Sequence, residues 1–105
     1  MNLWEWLKGP DINKGVQECR ETSGAMLIDV RNPQEFRMGH IPGSINVPLN
    51  TLDFIGTVVD SKDTPIYLYC QAGTRSRRAT GMLRKMGYTN VKNIGGIASW
   101  NGRRE

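Results

Sequence analysis

A chain of 105 residues has room for one domain built around one core, and an apolar content of 38% with 23% charged residues is ordinary for a globular protein. Fourteen basic against ten acidic side chains leave a formal charge of +4, which favours small anions or an acidic protein partner at long range. Two cysteines are too few for a disulfide framework, no apolar run reaches the roughly 18 residues of a membrane span, and no basic run with interleaved aromatics or zinc spacing marks a nucleic-acid binder.

Residues 1–10 read as an amphipathic extension and residues 11–105 as the domain. Leu3, Trp4 and Leu7 fall at helical spacing before Gly9 and Pro10 end the segment. One and a half turns bury too little surface for membrane attachment, so the apolar side is expected to pack on the domain. Glu5 interrupts the apolar stretch and no basic leader precedes it, which argues against a signal peptide and for the cytoplasm. Asp11 and Ile12 suit a short edge strand, and Asp11 or Asn13 suits the cap of a helix running to Glu21. Ile12, Val16 and Cys19 share a face of that helix, which makes Cys19 either a core thiol or a resolving partner for the second cysteine.

Ala25 to Val30 is a nearly continuous apolar run with Asp29 and Arg31 at its end, as a central parallel strand shows. Asn32 is a good N-cap, Pro33 suits the first helical position, and Glu35 sits where it closes a capping box or pairs with Arg31. Gly39 stops that helix. His40 is the only histidine, which leaves no histidine-rich metal site. Ser44 to Val47 reads as a short strand, and Leu49, Leu52, Ile55, Val58 and Val59 outline a helix weakened by Gly56.

The chain is organised around its next stretch. Ile66 to Tyr69 is a buried-strand run, and Ala79, Met82, Leu83 and Met86 recur at i, i+3, i+4 and i+7, the stripe of a helix that Gly87 closes. Cys70 sits at the joint, followed by Gln71, Ala72, Gly73, Thr74, Arg75 and Ser76. Gly73 permits a tight loop whose N–H groups point inward, as they do at a helix N-terminus, and Arg75, Arg77 and Arg78 add positive charge. A thiol with an ordinary pKa of about 8.5 becomes a nucleophile in such surroundings, each unit of lowering favouring the thiolate by about 1.36 kcal/mol. Cysteine phosphatases carry Cys-x5-Arg around a tetrahedral phosphoryl group, whereas Cys70 to Arg75 is Cys-x4-Arg, a tighter ring better matched to one sulfur atom. Tyr88 to Asn93 supplies a last strand, and Ile97 and Trp100 a closing helix in which Trp100 is either core anchor or pocket wall. Five strands alternating with helices imply an α/β fold, a mostly parallel five-stranded sheet covered on both faces.

This loop resembles the active-site loop of the rhodanese family. The resemblance extends to Asp29-Val30-Arg31 with Glu35 and Phe36, to Gly39 through Pro48, and to Gly95 and Gly96 followed by Trp100, in the family's order over about three quarters of the chain. It implies the rhodanese fold and a sulfurtransferase that moves a sulfane sulfur from a donor such as thiosulfate to cyanide or a thiol through a Cys70 persulfide, with neither metal nor organic cofactor. Gln71 to Ser76 would hold the donor and the persulfide, Asp29 and Arg31 would brace the loop, with an Asp29 to Arg75 contact as the expected form of that support, and His40 would belong to a structural turn. Two alternatives stand beside this reading: a persulfide carrier that exchanges sulfur with protein partners, and a relative of the cysteine phosphatases.

Overall fold

The structure, a computed structural model, describes Leu3 and residues 9–105; the turn expected around Trp4 and Trp6 lies outside them. Four strands, β1 (Met26–Asp29), β2 (Ile45–Asn46), β3 (Ile66–Cys70) and β4 (Val91–Gly96), form one parallel sheet in the order β2-β1-β3-β4. Three helices, α1 (Ile12–Glu21), α2 (Pro33–Met38) and α3 (Thr74–Lys85), and two 3-10 segments, Leu49–Thr57 and Ile97–Ser99, complete the described fold. None of these helices is long and apolar enough to cross a membrane.

Alternate strand residues serve the two faces. Ile28, Ile66, Leu68 and Cys70 pack with Ala79 and Leu83 of α3 and with Leu52 and Ile55, whereas Leu27, Tyr67 and Tyr69 pack with Ile12, Val16 and Cys19 of α1. Helices therefore cover both faces, and β3, with all five residues buried, is the strand both layers grip. Full burial of a side chain such as Leu83 is worth about 1.5–3 kcal/mol and helps to hold α3 against the sheet.

Where local expectation and structure differ, the causes are local too. The fifth strand is absent because Asp11 accepts a hydrogen bond from the Asn13 N–H at 2.9 Å, which draws Ile12 into the first turn of α1. The segment after Pro48 winds as 3-10 helix, interrupted where Thr51 leaves helical dihedrals (φ −124°, ψ 26°). The last strand starts at Val91 and not at Tyr88, because the Tyr88 N–H is spent on Leu83 O (3.0 Å) closing α3 and its ring is buried. The closing helix is only the Ile97–Ser99 turn, after which Trp100 lies half-buried against the α1 layer with the Arg20 guanidinium 5.7 Å from its ring centre. The Asn32 capping box is present as expected, with Glu35 N–H donating to Asn32 Oδ1 at 2.8 Å and Asn32 N–H to Glu35 Oε1 at 3.0 Å.

Candidate active site

The C-terminal ends of β1 and β3 lie side by side, Asp29 opposite Tyr69, so the residues that follow both strands meet at one edge. From Cys70 the chain bends through Gln71 and Ala72 to Gly73, which caps α3 with φ +99°, a value that favours glycine. No side chain caps this helix. Its free N–H groups turn instead on the cysteine: Gly73 N–H donates to Cys70 Sγ at 3.0 Å and Ser76 N–H at 3.4 Å.

Cys70 is only 1% exposed, no more than the core cysteine Cys19 at 7%, so burial does not distinguish them. Their surroundings do. Burial pushes the Cys19 thiol up, with Arg20 opposing and Glu18 adding to the rise. Burial acts on Cys70 in the same sense, yet the Ser76 hydroxyl and the N–H groups of Ser76, Gly73 and Ala72 outweigh it and hold the thiol below its ordinary value. Hydrogen-bond donors lead this lowering, and Arg77 and Arg78 lie exposed on the outer side of α3. Both cysteines are free, and they belong to opposite layers of the sheet, which rules out a bridge between them in this fold.

The support of the loop is wired differently from expectation. Asp29 does not reach Arg75: its carboxylate is taken by Arg31, which donates its backbone N–H at 2.8 Å, Nε at 3.0 Å and Nη2 at 2.7 Å, both side chains being buried. Arg31 Nη2 also donates to Gly39 O at 2.7 Å, so this pair braces the end of β1 and the turn after α2. Arg75 pairs with Glu35, Nη1 to Oε1 at 2.7 Å and Nη2 to Oε2 at 2.9 Å. Glu35 thus caps α2 with one oxygen while both oxygens fix the arginine that follows the loop. The capping position advertised this carboxylate; its second role depends on a residue 40 positions away.

The Arg75 guanidinium, opposed by partial burial, holds the Glu35 carboxyl down to about 2. A carboxyl whose pKa is lower folded than unfolded stabilises the fold above the unfolded value and loses that contribution as pH falls through the folded one. The Glu35→Gln variant should therefore melt below the wild type by a constant margin above about pH 5, with the margin closing between 4.5 and about 2. Melting curves at stepped pH check this; a margin that persists at pH 2 contradicts it.

Other members of the edge had no sequence signal as site residues. Tyr69 Oη accepts from Ile41 N–H at 3.1 Å and bonds Ser44 Oγ at 2.9 Å, holding the turn that contains His40. His40 stacks on Phe36 at 3.7 Å, as a structural residue does. Asn93 of β4 accepts from Ser76 Oγ at 2.7 Å. Two grooves flank the loop, one of about 450 Å³ lined by Arg75, Arg78, Leu49 and Met82, the other of about 300 Å³ lined by Ala72, Gly73, Thr74 and Arg77. Gln71, Ala72 and Thr74 are exposed at the rim and Ser76 is buried beneath.

A model of the rhodanese-like domain matches residues 10–103. The chain belongs to the rhodanese family. Its layered parallel sheet is the rhodanese fold: a solved rhodanese from Escherichia coli with bound anions superposes with a TM-score of 0.72 at 36% identity, covering 77% of this chain and 96% of that one. Among relatives, the uncharacterized protein YqhL of Bacillus subtilis is 48% identical over 80 residues, 75% of this chain and 63% of that protein. The thiosulfate sulfurtransferase PspE of Escherichia coli is 42% identical over 71 residues, 67% of this chain and 68% of that protein. This rhodanese chain is accordingly a member of a sulfurtransferase family, and it spans a little under two thirds of YqhL.

Proposed function

We propose that this rhodanese domain transfers sulfane sulfur through Cys70. The observation that carries the reading is the convergence of Gly73 N–H and Ser76 N–H, with the Ser76 hydroxyl oxygen 3.4 Å away, on one sulfur that burial alone would have kept protonated. The Cys70 thiolate attacks the outer sulfur of an anionic donor such as thiosulfate; the donor S–S bond breaks, sulfite leaves with the bonding pair, and a persulfide remains. Cyanide or a thiolate then attacks the outer sulfur, and the pair returns to Cys70 as thiolate. A donor aimed at developing charge in a dry site is worth about 2.7–4 kcal/mol, so loss of any one of these groups is felt in rate. Gln71, Ala72 and Thr74 meet the donor at the rim, Arg75 orients it or steadies the loop, and the Asp29–Arg31 pair supports the edge from beneath. Residues 11–105 form the working domain and residues 1–10 an extension, in a reducing compartment such as the cytoplasm. Metal and organic cofactor have no place in this scheme.

Intact mass after exposure to thiosulfate tests the reading directly. A gain of one sulfur atom on the wild type, absent from Cys70→Ser, is expected; no adduct with thiosulfate or with any persulfide donor overturns it. Slow turnover of thiosulfate with ready loading by a protein persulfide identifies the carrier form of the same chemistry. Hydrolysis of an aryl phosphate with no sulfur adduct would favour the phosphatase alternative.

A further inference from the structure

The Ser76 hydroxyl has one proton and several acceptors: Asn93 Oδ1 at 2.7 Å, Gly73 O at 3.1 Å, Cys70 Sγ at 3.4 Å and Gly95 O at 3.5 Å. The Asn93 amide decides where it goes. Gly95 N–H can only donate, and it meets Oδ1 at 3.0 Å; Gly73 O can only accept, and it meets Nδ2 at 3.4 Å. Both contacts fix Oδ1 as the end that faces Ser76, so the hydroxyl proton points to Asn93 and away from the sulfur. Asn93 reaches the loop because β4 is offset by a bulge against Leu68 and Tyr69, which places Asn93 and Gly95 on successive β3 partners.

We propose that Asn93 is a positioning residue that competes with Cys70 for the Ser76 proton and so sets the pH at which the thiol ionises. With a neutral thiol the proton rests on Asn93 Oδ1; when the thiolate forms, the hydroxyl rotates and donates to Sγ, leaving Oδ1 with Gly95 N–H. The two hydrogen-bonded states exchange by one rotation about the Ser76 Cβ–Oγ bond, with no covalent change. Other charges that face this corner are Arg75 on α3, its partner Glu35 on α2, the Asp29–Arg31 pair at the end of β1, and Arg77 on α3, which lines the same groove as Asn93. The substitutions below leave all of them in place.

The inference rests on Cys70 being the reactive thiol but not on sulfur transfer, since ionisation is read with no donor present. Thiolate ultraviolet absorbance is titrated for each variant and corrected by the same variant carrying Cys70→Ser. Asn93→Ala frees the hydroxyl and lowers the midpoint by about half a pH unit; Asn93→Asp, isosteric and a stronger acceptor, raises it by about one unit or more. In a Ser76→Ala background the Asn93→Ala shift disappears and the Asn93→Asp rise shrinks to the effect of its charge alone. A purely structural role moves both variants in the same direction. Shifts of the same sign, or shifts undiminished without the Ser76 hydroxyl, overturn the proposal. If Asn93→Ala does not fold, Asn93→Asp decides: no rise, or a rise of equal size in the Ser76→Ala background, sinks it. A failed titration leaves the mass gain at Cys70 intact, and a failed mass gain leaves the titration readable.

Discussion

Cys70→Ser lowers thiosulfate-dependent thiocyanate formation by at least about 10³-fold, the scale of loss expected when the nucleophile of a covalent mechanism is removed. The loss is chemical and not structural. Oxygen replaces sulfur with a small loss of volume, and the groups that now donate to Sγ, Gly73 N–H at 3.0 Å and Ser76 N–H at 3.4 Å, can donate to a hydroxyl oxygen in its place. A buried hydroxyl without partners would cost about 1–3 kcal/mol; this one has partners, so the melting temperature should stay within a few degrees of the wild type. Cys19→Ser is the matched control. It lies in the other layer, against α1, and most turnover should remain. Steady-state thiocyanate assays on both variants check the pair, and retained turnover in Cys70→Ser removes the thiol from the mechanism.

Gly96→Ala should be nearly as damaging, although Gly96 carries no reactive group. Gly96 is the β4 residue paired with Cys70, and its dihedrals (φ −123°, ψ 140°) suit any residue. Space is what excludes a side chain: an added Cβ would lie 2.4 Å from Gln71 O, 2.7 Å from Ala72 Cα and 2.9 Å from Ala72 C. These are backbone atoms of the loop, which cannot swing aside as a side-chain end would. Ala98 N–H also holds Gln71 O at 3.2 Å, so the displacement reaches the N–H groups of Ala72 and Gly73. A shift of about 1 Å in such donors costs on the order of 10²-fold in rate, and overpacking costs about 1–3 kcal/mol of stability. The expected result is a folded protein with kcat/KM for thiosulfate down by about that factor and the Cys70 ionisation moved up. Unchanged kinetics in a folded Gly96→Ala would show that the loop position is not critical.

Each distant contact that completes the site adds a residue that local pattern could not assign. The helical stripe of α3, the capping box at Asn32 and Glu35, the short run ending at Cys70 and the five-residue step from Cys70 to Arg75 are all local, because a few neighbouring dihedrals and side chains create them. From these the layered α/β form and the place of Cys70 at a strand-to-helix joint were legible, as was the burial of Cys19 in the core. Of the two readings open at Asp11, strand or helix cap, the cap prevails, because the same dipeptide serves both and Ile12 packs beneath the sheet.

The partner of Arg75 lay beyond such reasoning. Asp29 and Glu35 are both acidic residues near the same edge, and only the folded backbone shows Asp29 saturated by Arg31 two residues on and Glu35 left to meet the guanidinium from α2. Asn93 is likewise an ordinary strand residue, and Gly96 a glycine marked by the resemblance with no stated task, until β4 lies beside β3 in its bulged register. The amino-acid sequence alone determined that Cys70 stands where a buried run meets a helix and that an arginine follows at short range, since both follow from a single continuous turn. Tertiary structure decided which carboxylate holds that arginine, which amide accepts from the Ser76 hydroxyl and which glycine leaves room for the loop, because hydrogen bonds and steric contacts depend on distance in space and chain order does not specify it.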